Sequence, residues 1–156
     1  MKPAFQRETV SIIIPAYNNP EYTRTTLKSI TAQHYRPLEI ILSDDNSPAS
    51  LEPLTKEFDE FQNDHFKLRY FRQPSNLGVM DNFTFSVKQA TGKYLIPFAH
   101  DNRFTDESFI SEAVEIMETH SACHMCVANA VYEKTREAML HLPDNIKAKD
   151  RWEILE

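Results

Sequence analysis

Apolar residues recur along this chain in two alternating patterns, short unbroken runs and longer stretches at helical spacing. The first run, Val10-Ser11-Ile12-Ile13-Ile14, is β-branched and stopped by Pro15, which reads as a buried strand. Asn19-Pro20 then predicts a helix start, with asparagine as cap and proline in the first turn. Tyr22, Thr26, Leu27 and Ile30 carry one face of that helix to about residue 33. Residues 38–42 form a second strand that runs into Ser43-Asp44-Asp45-Asn46. Ser47-Pro48 repeats the cap-plus-proline signal, with Leu51, Leu54, Phe58 and Phe61 on one helical face. Residues 67–72 alternate as a third strand. After the Asn76-Leu77-Gly78 turn, Val79, Met80, Phe83, Val87 and Ala90 predict the inward side of another helix, and Gly92 lies just past its end. Residues 94–99 are expected as a fourth strand and 100–103 as a loop. Thr105-Asp106-Glu107-Ser108 caps an acidic-first helix with Phe109, Ile110, Ala113, Val114 and Met117 inward, and residues 125–132 form a fifth strand. The last two dozen residues are weakly patterned, with Trp152, Ile154 and Leu155 beginning a further helix.

Strands alternating with helices of ten to fifteen residues make β-α-β units. The expected fold is α/β and Rossmann-like, a mainly parallel sheet with helices on both faces. The length of 156 residues fits one domain over 1–156. In open sheets of this kind, ligands bind beyond the carboxyl ends of the strands. The chemistry is therefore expected in residues 15–19, 43–47, 73–82 and 100–104.

Composition narrows the choice of chemistry. The chain has 2 glycines, where average usage would give about eleven. Gly78 and Gly92 lie too far apart for either a G-x-G-x-x-G dinucleotide loop or a G-x-x-x-x-G-K-[ST] phosphate loop. The net charge of −6 offers no basic footprint for nucleic acid or an anionic membrane. No apolar run approaches the eighteen or so residues that span a bilayer, and residues 1–10 lack a signal-peptide core. With 2 cysteines there is no disulfide framework, and a reducing, cytoplasmic location is expected. Cys123 and Cys126 formally match C-x-x-C. If that stretch is a strand they would point to opposite faces, which suits two small hydrophobes better than a metal or redox pair.

The strand-end segments hold Tyr17, Asn18, Asn19, Asp44, Asp45, Asn46, Ser47, Asn76, Asn82, His100, Asp101 and Asn102, with no lysine and a single arginine, Arg103. Each short cluster by itself is also ordinary turn and cap chemistry. Convergence of all four at one sheet end favours a site. Carboxylates and amides with so little positive charge would hold a diphosphate only with a divalent cation, and hard oxygen ligands such as Asp101 suit magnesium or manganese.

These residues, in this order, resemble the family 2 glycosyltransferases, whose nucleotide-sugar-binding fold is called GT-A. VSIIIPAYNN followed by LKSITAQHYRPLEIILSDDNS is similar to the family's first strand, helix and second strand. NLGVMDNFTFSVKQATGKYLIPFAHDN is similar to the segment that leads to its metal motif, so that the resemblance is strongest over residues 9–120. The resemblance implies that Pro15, Ala16, Tyr17 and Asn18 line the nucleotide pocket. It implies that Asp44 and Asp45 recognise base and ribose, with Asn76, Asn82 and His100 nearby. Asp101 then matches the last acid of the D-x-D motif and holds Mn2+ or Mg2+ against the diphosphate. The implied reaction moves a sugar from a nucleotide-diphosphate sugar, by default a UDP-sugar, to a glycan, lipid or protein acceptor by inverting displacement.

Some positions depart from that pattern. Ala99 stands where the first acid of D-x-D is usual, and Asn102 follows where another acid is common. Thr84 replaces a frequent second asparagine. No catalytic base is assigned, since neither Glu133 nor Glu137 falls in a recognisable base motif, and the acceptor half is expected to lie beyond this chain. The alternative is a non-catalytic, degenerate transferase-like domain that binds a nucleotide or a protein partner. A nucleotidyltransferase is disfavoured, because PAYNN lacks the glycine-rich, arginine-containing first loop of those enzymes.

Overall fold

The computed structural model describes residues 7–120, 122–126, 129–132 and 150–154. In chain order the elements are β1 (Val10–Ala16), α1 (Pro20–Thr31), β2 (Leu38–Asp44), α2 (Glu52–Thr55), a 3-10 helix (Lys56–Phe61), β3 (Phe66–Arg72), α3 (Val79–Gln89), β4 (Tyr94–Pro97), β5 (Asn102–Phe104), α4 (Phe109–Thr119), β6 (Asn129–Tyr132) and β7 (Asp150–Ile154). They fall into two compact units. One comprises the residues up to Pro20 with Arg36–His100, the other Glu21–Tyr35 with the residues from Asp101 on.

The first unit is a four-stranded parallel sheet in the order β3-β2-β1-β4. The β-branched run of β1 explains its place: Ile12, Ile13 and Ile14 have no exposed surface. All seven residues of β2 are buried, and it is paired on both sides. Burying one isoleucine side chain contributes about 1.5–3 kcal/mol, so these two strands dominate the core. Helix α3 packs on β1 and β2.

At the amino ends of these strands the buried Glu39 carboxylate is fully partnered. Its Oε2 accepts the Ser11 hydroxyl at 2.6 Å and the Thr91 N–H at 2.9 Å, while Oε1 accepts Arg69 Nη1 at 2.7 Å. Arg69 also donates to the Gln89 carbonyl at 2.7 Å. One carboxylate thus ties β2 to β1, to β3 and to the turn after α3. Gly92 completes that turn by donating to Ser11 Oγ at 2.9 Å. A Cβ at Gly92 would lie 2.7 Å from both Ser11 Oγ and the Thr9 carbonyl, so only glycine fits without movement.

The second unit holds a three-stranded sheet in the order β5-β7-β6, with β7 antiparallel to β5 and parallel to β6. Helix α1 is tied to β5 by side chains: Thr26 Oγ1 donates to the Asn102 carbonyl at 2.6 Å, and Ser29 Oγ accepts the Phe104 N–H at 3.1 Å. Gln33 donates to the Asp106 carbonyl at 2.7 Å and accepts the Ile110 N–H at 3.2 Å, which places the start of α4.

Several expectations are corrected. Ser47 does not cap a long helix. The helical segment is a four-residue α2 starting after Leu51, followed by the 3-10 helix, because the Asp44 carboxylate claims the Ser47 and Leu51 N–H groups. Val79 and Met80 are not inward but 75 % and 71 % exposed, and the buried face of α3 carries Asn82 and Ser86. Only Ile110 is buried on α4. The segment expected as a loop at 100–103 contributes β5, and 150–154 is a strand rather than a helix start. Residues 123–126 are not in a strand, and the two cysteine sulfurs face each other at 4.0 Å instead of pointing apart. Glu133, Glu137 and Leu155 lie outside the described residues.

Burial pushes the Glu39 carboxyl up, but the bonds from Ser11, Thr91 and Arg69 outweigh it and hold it below its ordinary value of 4.5. A carboxyl lowered in the folded state stabilises fully above its unfolded pKa and loses that contribution as pH falls through the folded value. Glu39→Gln is therefore expected to cost about 1–3 kcal/mol at neutral pH. The difference in Tm from the parent should shrink steadily below about pH 4.5. A gap that stays constant down to pH 3 in thermal melts would show that Glu39 is not ionised in the fold.

Candidate functional site

The carboxyl ends of β1 and β2 carry a set of loops that the chain's own polar groups hold in place. Strand β1 ends at Ala16, whose carbonyl accepts the Asp45 N–H at 2.8 Å, so the β1–β2 pairing continues one residue past β2. The chain then turns through Asn18 (φ 60°) and Asn19 (φ 50°), and after β2 through Asn46 (φ 59°). Asparagine tolerates this left-handed region better than other residues with a side chain. It is also a different geometry from the extended one expected of a helix-capping Asn19.

Asp44 has no exposed surface. Its Oδ1 accepts the Ser47 N–H at 2.8 Å. Its Oδ2 accepts the Leu51 N–H at 3.2 Å, the Tyr70 hydroxyl at 2.8 Å and Arg72 Nη1 at 3.0 Å. Arg72 Nη2 donates onward to Asn46 Oδ1 at 3.2 Å and the Ser47 carbonyl at 2.8 Å. Ser47 Oγ accepts the Asn18 N–H at 2.7 Å, which joins the first loop to the second. Burial pushes the Asp44 carboxyl up, yet the hydrogen bonds from Ser47, Tyr70 and Leu51 hold it below the usual carboxylate range. Burial and the bond to Asp44 push the Tyr70 hydroxyl up, so it stays a donor.

Asp45, equally buried, reaches the other way. Its Oδ1 accepts the Leu77 N–H at 2.7 Å and its Oδ2 the Gly78 N–H at 2.9 Å. Asn76 Nδ2 returns a bond to the Asp45 carbonyl at 3.2 Å. Gly78 sits at φ 83° with nothing within 4 Å of a Cβ position, so conformation rather than space requires glycine there. Beneath this turn Asn82 is 1 % exposed. Its Nδ2 donates to the Ser43 carbonyl at 2.9 Å, and its Oδ1 accepts the Ser43 hydroxyl at 2.5 Å. Gln73 Nε2 donates to Ser43 Oγ at 2.9 Å.

Within the first unit, then, Ala16, Asn18, Asp44, Asp45, Asn76 and Asn82 belong to one connected network, and Pro15 precedes it half-buried on β1. The residues that present surface there include Tyr17, at 45 % exposure, Asn18, Asn19, Arg72 and Asn76. Asp44, Asp45 and Asn82 lie behind them. His100, half-buried, closes this unit, and Asp101, also half-buried, opens the other in the turn before β5. Among the described residues no group of three or more His, Cys, Asp or Glu side chains converges as a metal-binding cluster. Sequence reasoning missed Tyr70 and Arg72 and did not single out Gln73 within 73–82. Asp44 and Arg72 are direct partners in the β2–β3 register, so aligning the two strand ends would have paired them.

The family model described as "Glycosyl transferase family 2" matches residues 11–154. An uncharacterized glycosyltransferase of Rickettsia bellii is 28% identical over 150 residues, 93% of this chain and 21% of that protein. A second, from Rickettsia typhi, is 26% identical over 148 residues, 93% of this chain and 44% of its own length. Among solved structures, S. aureus TarS 1-349 in complex with UDP superposes with a TM-score of 0.65 at 19% identity, covering 80% of this chain and 35% of that one. The mannosyltransferase PcManGT from Pyrobaculum calidifontis, in complex with GDP-Man and Mn2+, gives 0.66 at 20% identity, over 81% and 36%. The chain thus spans from about a fifth to under half the length of these proteins.

If the Asp45 carboxylate clamps the 76–78 turn, Asp45→Asn removes one of two acceptors and turns an N–H toward an N–H. The expected cost is about 1–3 kcal/mol, with selective loss of amide protection at Leu77 and Gly78 in hydrogen exchange. Unchanged protection of those two amides would refute the clamp.

Proposed function

The chain belongs to glycosyl transferase family 2, and from that premise we propose that it binds the nucleotide-diphosphate sugar of an inverting sugar transfer at the carboxyl ends of β1 and β2. The observation that carries this reading is the connected network of Asp44, Asp45, Ser47, Arg72 and Asn76. It holds the loops rigid while leaving an aromatic ring, Tyr17, and the side chains of Asn18 and Asn76 at the surface. An exposed ring offers a flat apolar face to a base, and amides offer both donors and acceptors to base and ribose. Uridine is the default base.

A diphosphate brings more negative charge than these loops neutralise. Arg72 donates through both terminal nitrogens to the protein itself. Mg2+-type ions take one or two protein carboxylates and let substrate phosphates complete the shell, and the family resemblance gives that role to Asp101. When bound, Mn2+ or Mg2+ would offset charge developing on the leaving diphosphate. In the proposed displacement the acceptor hydroxyl loses its proton to a base, its oxygen bonds to the sugar's anomeric carbon from the opposite face, and the bond to the diphosphate breaks. No described residue is assigned as that base. Ala99, in place of an acid two positions before Asp101, favours one second reading, a domain that binds nucleotide without transferring sugar.

UDP with Mn2+ at about 100 times its Kd should raise Tm by roughly 5–10 °C. Asp101→Ala should retain a smaller UDP shift that no longer responds to Mn2+. If neither UDP nor GDP moves the melt with either metal, nucleotide binding by this chain is wrong. Hydrolysis or transfer of the sugar, followed with radiolabelled donor, separates the enzyme from the binding domain.

A further inference from the structure

Two sulfur–sulfur contacts, both made by Cys123, lie past the end of α4, and the sugar-transfer reading uses neither. Ala113 and Met117 lie one helical turn apart on one face of α4. Past the helix the Cys123 N–H donates to the His120 carbonyl at 2.7 Å, which turns the chain back along that face. Cys123 Sγ then lies 3.5 Å from Met117 Sδ and 4.0 Å from Cys126 Sγ. Cys126 Sγ rests 3.7 Å from the Ala113 carbonyl. Both cysteines are free and half-buried, as is Met117, so the sulfurs are shielded yet reachable.

These two separations are compatible with ligands around one ion. With metal–sulfur bonds of about 2.3 Å, sulfurs 4.0 Å apart subtend about 120° at the metal, and sulfurs 3.5 Å apart about 100°. Both angles suit a three-coordinate centre. Thiolate and thioether are soft donors that select Cu(I), whereas a structural zinc site takes four ligands from cysteine, histidine or carboxylate. Among the described residues no third His, Cys, Asp or Glu joins the two thiols, which leaves the thioether as the third donor. A disulfide would use two of the three sulfurs and require them to close from 4.0 Å to about 2.05 Å.

We propose that Met117, Cys123 and Cys126 form a three-sulfur binding site for a soft monovalent cation, Cu(I). Binding exchanges the two thiol protons for one Cu(I), which gives a bis-thiolate centre with the Met117 thioether as third ligand.

The test uses the reduced full chain under anaerobic conditions with Cu(I) supplied as its bicinchoninate complex. One Cu(I) per chain should be withdrawn from the chelator, and both thiols of the parent protein should become protected from iodoacetamide. Cys123→Ser and Cys126→Ser should each abolish withdrawal, and Met117→Leu should weaken it about tenfold. The alkylation experiment needs no variant, so it stands even if a substitution disturbs the loop. Failure to withdraw Cu(I), or alkylation at the same rate with and without it, would overturn the site. Undiminished binding by Met117→Leu would overturn the three-sulfur shell, and equal protection of the thiols by Zn2+ would overturn its softness.

Discussion

Three carboxylates buried on or beside β2 set the terms for the rest of the first unit. A charge taken out of water costs several kcal/mol unless every acceptor finds a donor. Glu39 recruits Ser11, Arg69 and Thr91 at one end of the sheet. Asp44 recruits Ser47, Leu51, Tyr70 and Arg72 at the other, and Asp45 recruits Leu77 and Gly78. Between them Ile40, Ile41 and Leu42 supply the apolar stretch that pairs with β1 and β3. The strand therefore has a hydrophobic middle and two electrostatic ends, and each end dictates which loops fold against it.

The two ends differ in what they leave open. At the Glu39 end the close approach of Gly92 to Ser11 seals the turn onto the sheet. At the Asp44 end the loops bend outward through left-handed asparagines and Gly78, and backbone N–H groups point inward to carboxylates. Residues in such conformations persist because the surroundings over-determine them. A loop fixed in this way loses little further entropy when a ligand arrives, which is the physical advantage of a preorganised site. Asp44 and Asp45 themselves lie one layer behind the surface asparagines, held by internal donors.

How much of this was legible depended on whether hydropathy alone decides the outcome. Strands β1 and β2 were, because short apolar runs bounded by polar turns have few other uses, β3 was by its alternation, and the parallel order follows from the helices between them. The face of α3 was not. Asn82 and Ser86 are buried on the strength of hydrogen bonds to Ser43 and the helix backbone, which a count of apolar residues ignores, and Val79 and Met80 are turned outward as a result. The same blindness hid Arg72, whose importance lies in its register opposite Asp44. The strand-end acids were found as candidates, but their full set of internal donors appears only once the loops are folded around them. Strand β7 was missed because its pairing partners, β5 and β6, are distant in sequence, and so short a run shows no periodicity of its own.

Charge accounting connects these layers to the proposed chemistry. Asp44 and Asp45 carry two negative charges and the exposed Arg72 one positive, so the network that holds the loops is itself anionic. It would repel an approaching diphosphate unless neutral dipoles and an added cation intervened. The exposed groups at Tyr17, Asn18 and Asn76 are uncharged, so they can contact base and ribose without adding to that repulsion. Arg72, though exposed, is committed to Asp44, Asn46 and Ser47, so the phosphates would still need a counter-ion. On the proposed reading, a chain with two glycines and no phosphate loop would bind a phosphate by importing charge, while the buried acids hold the loops in place.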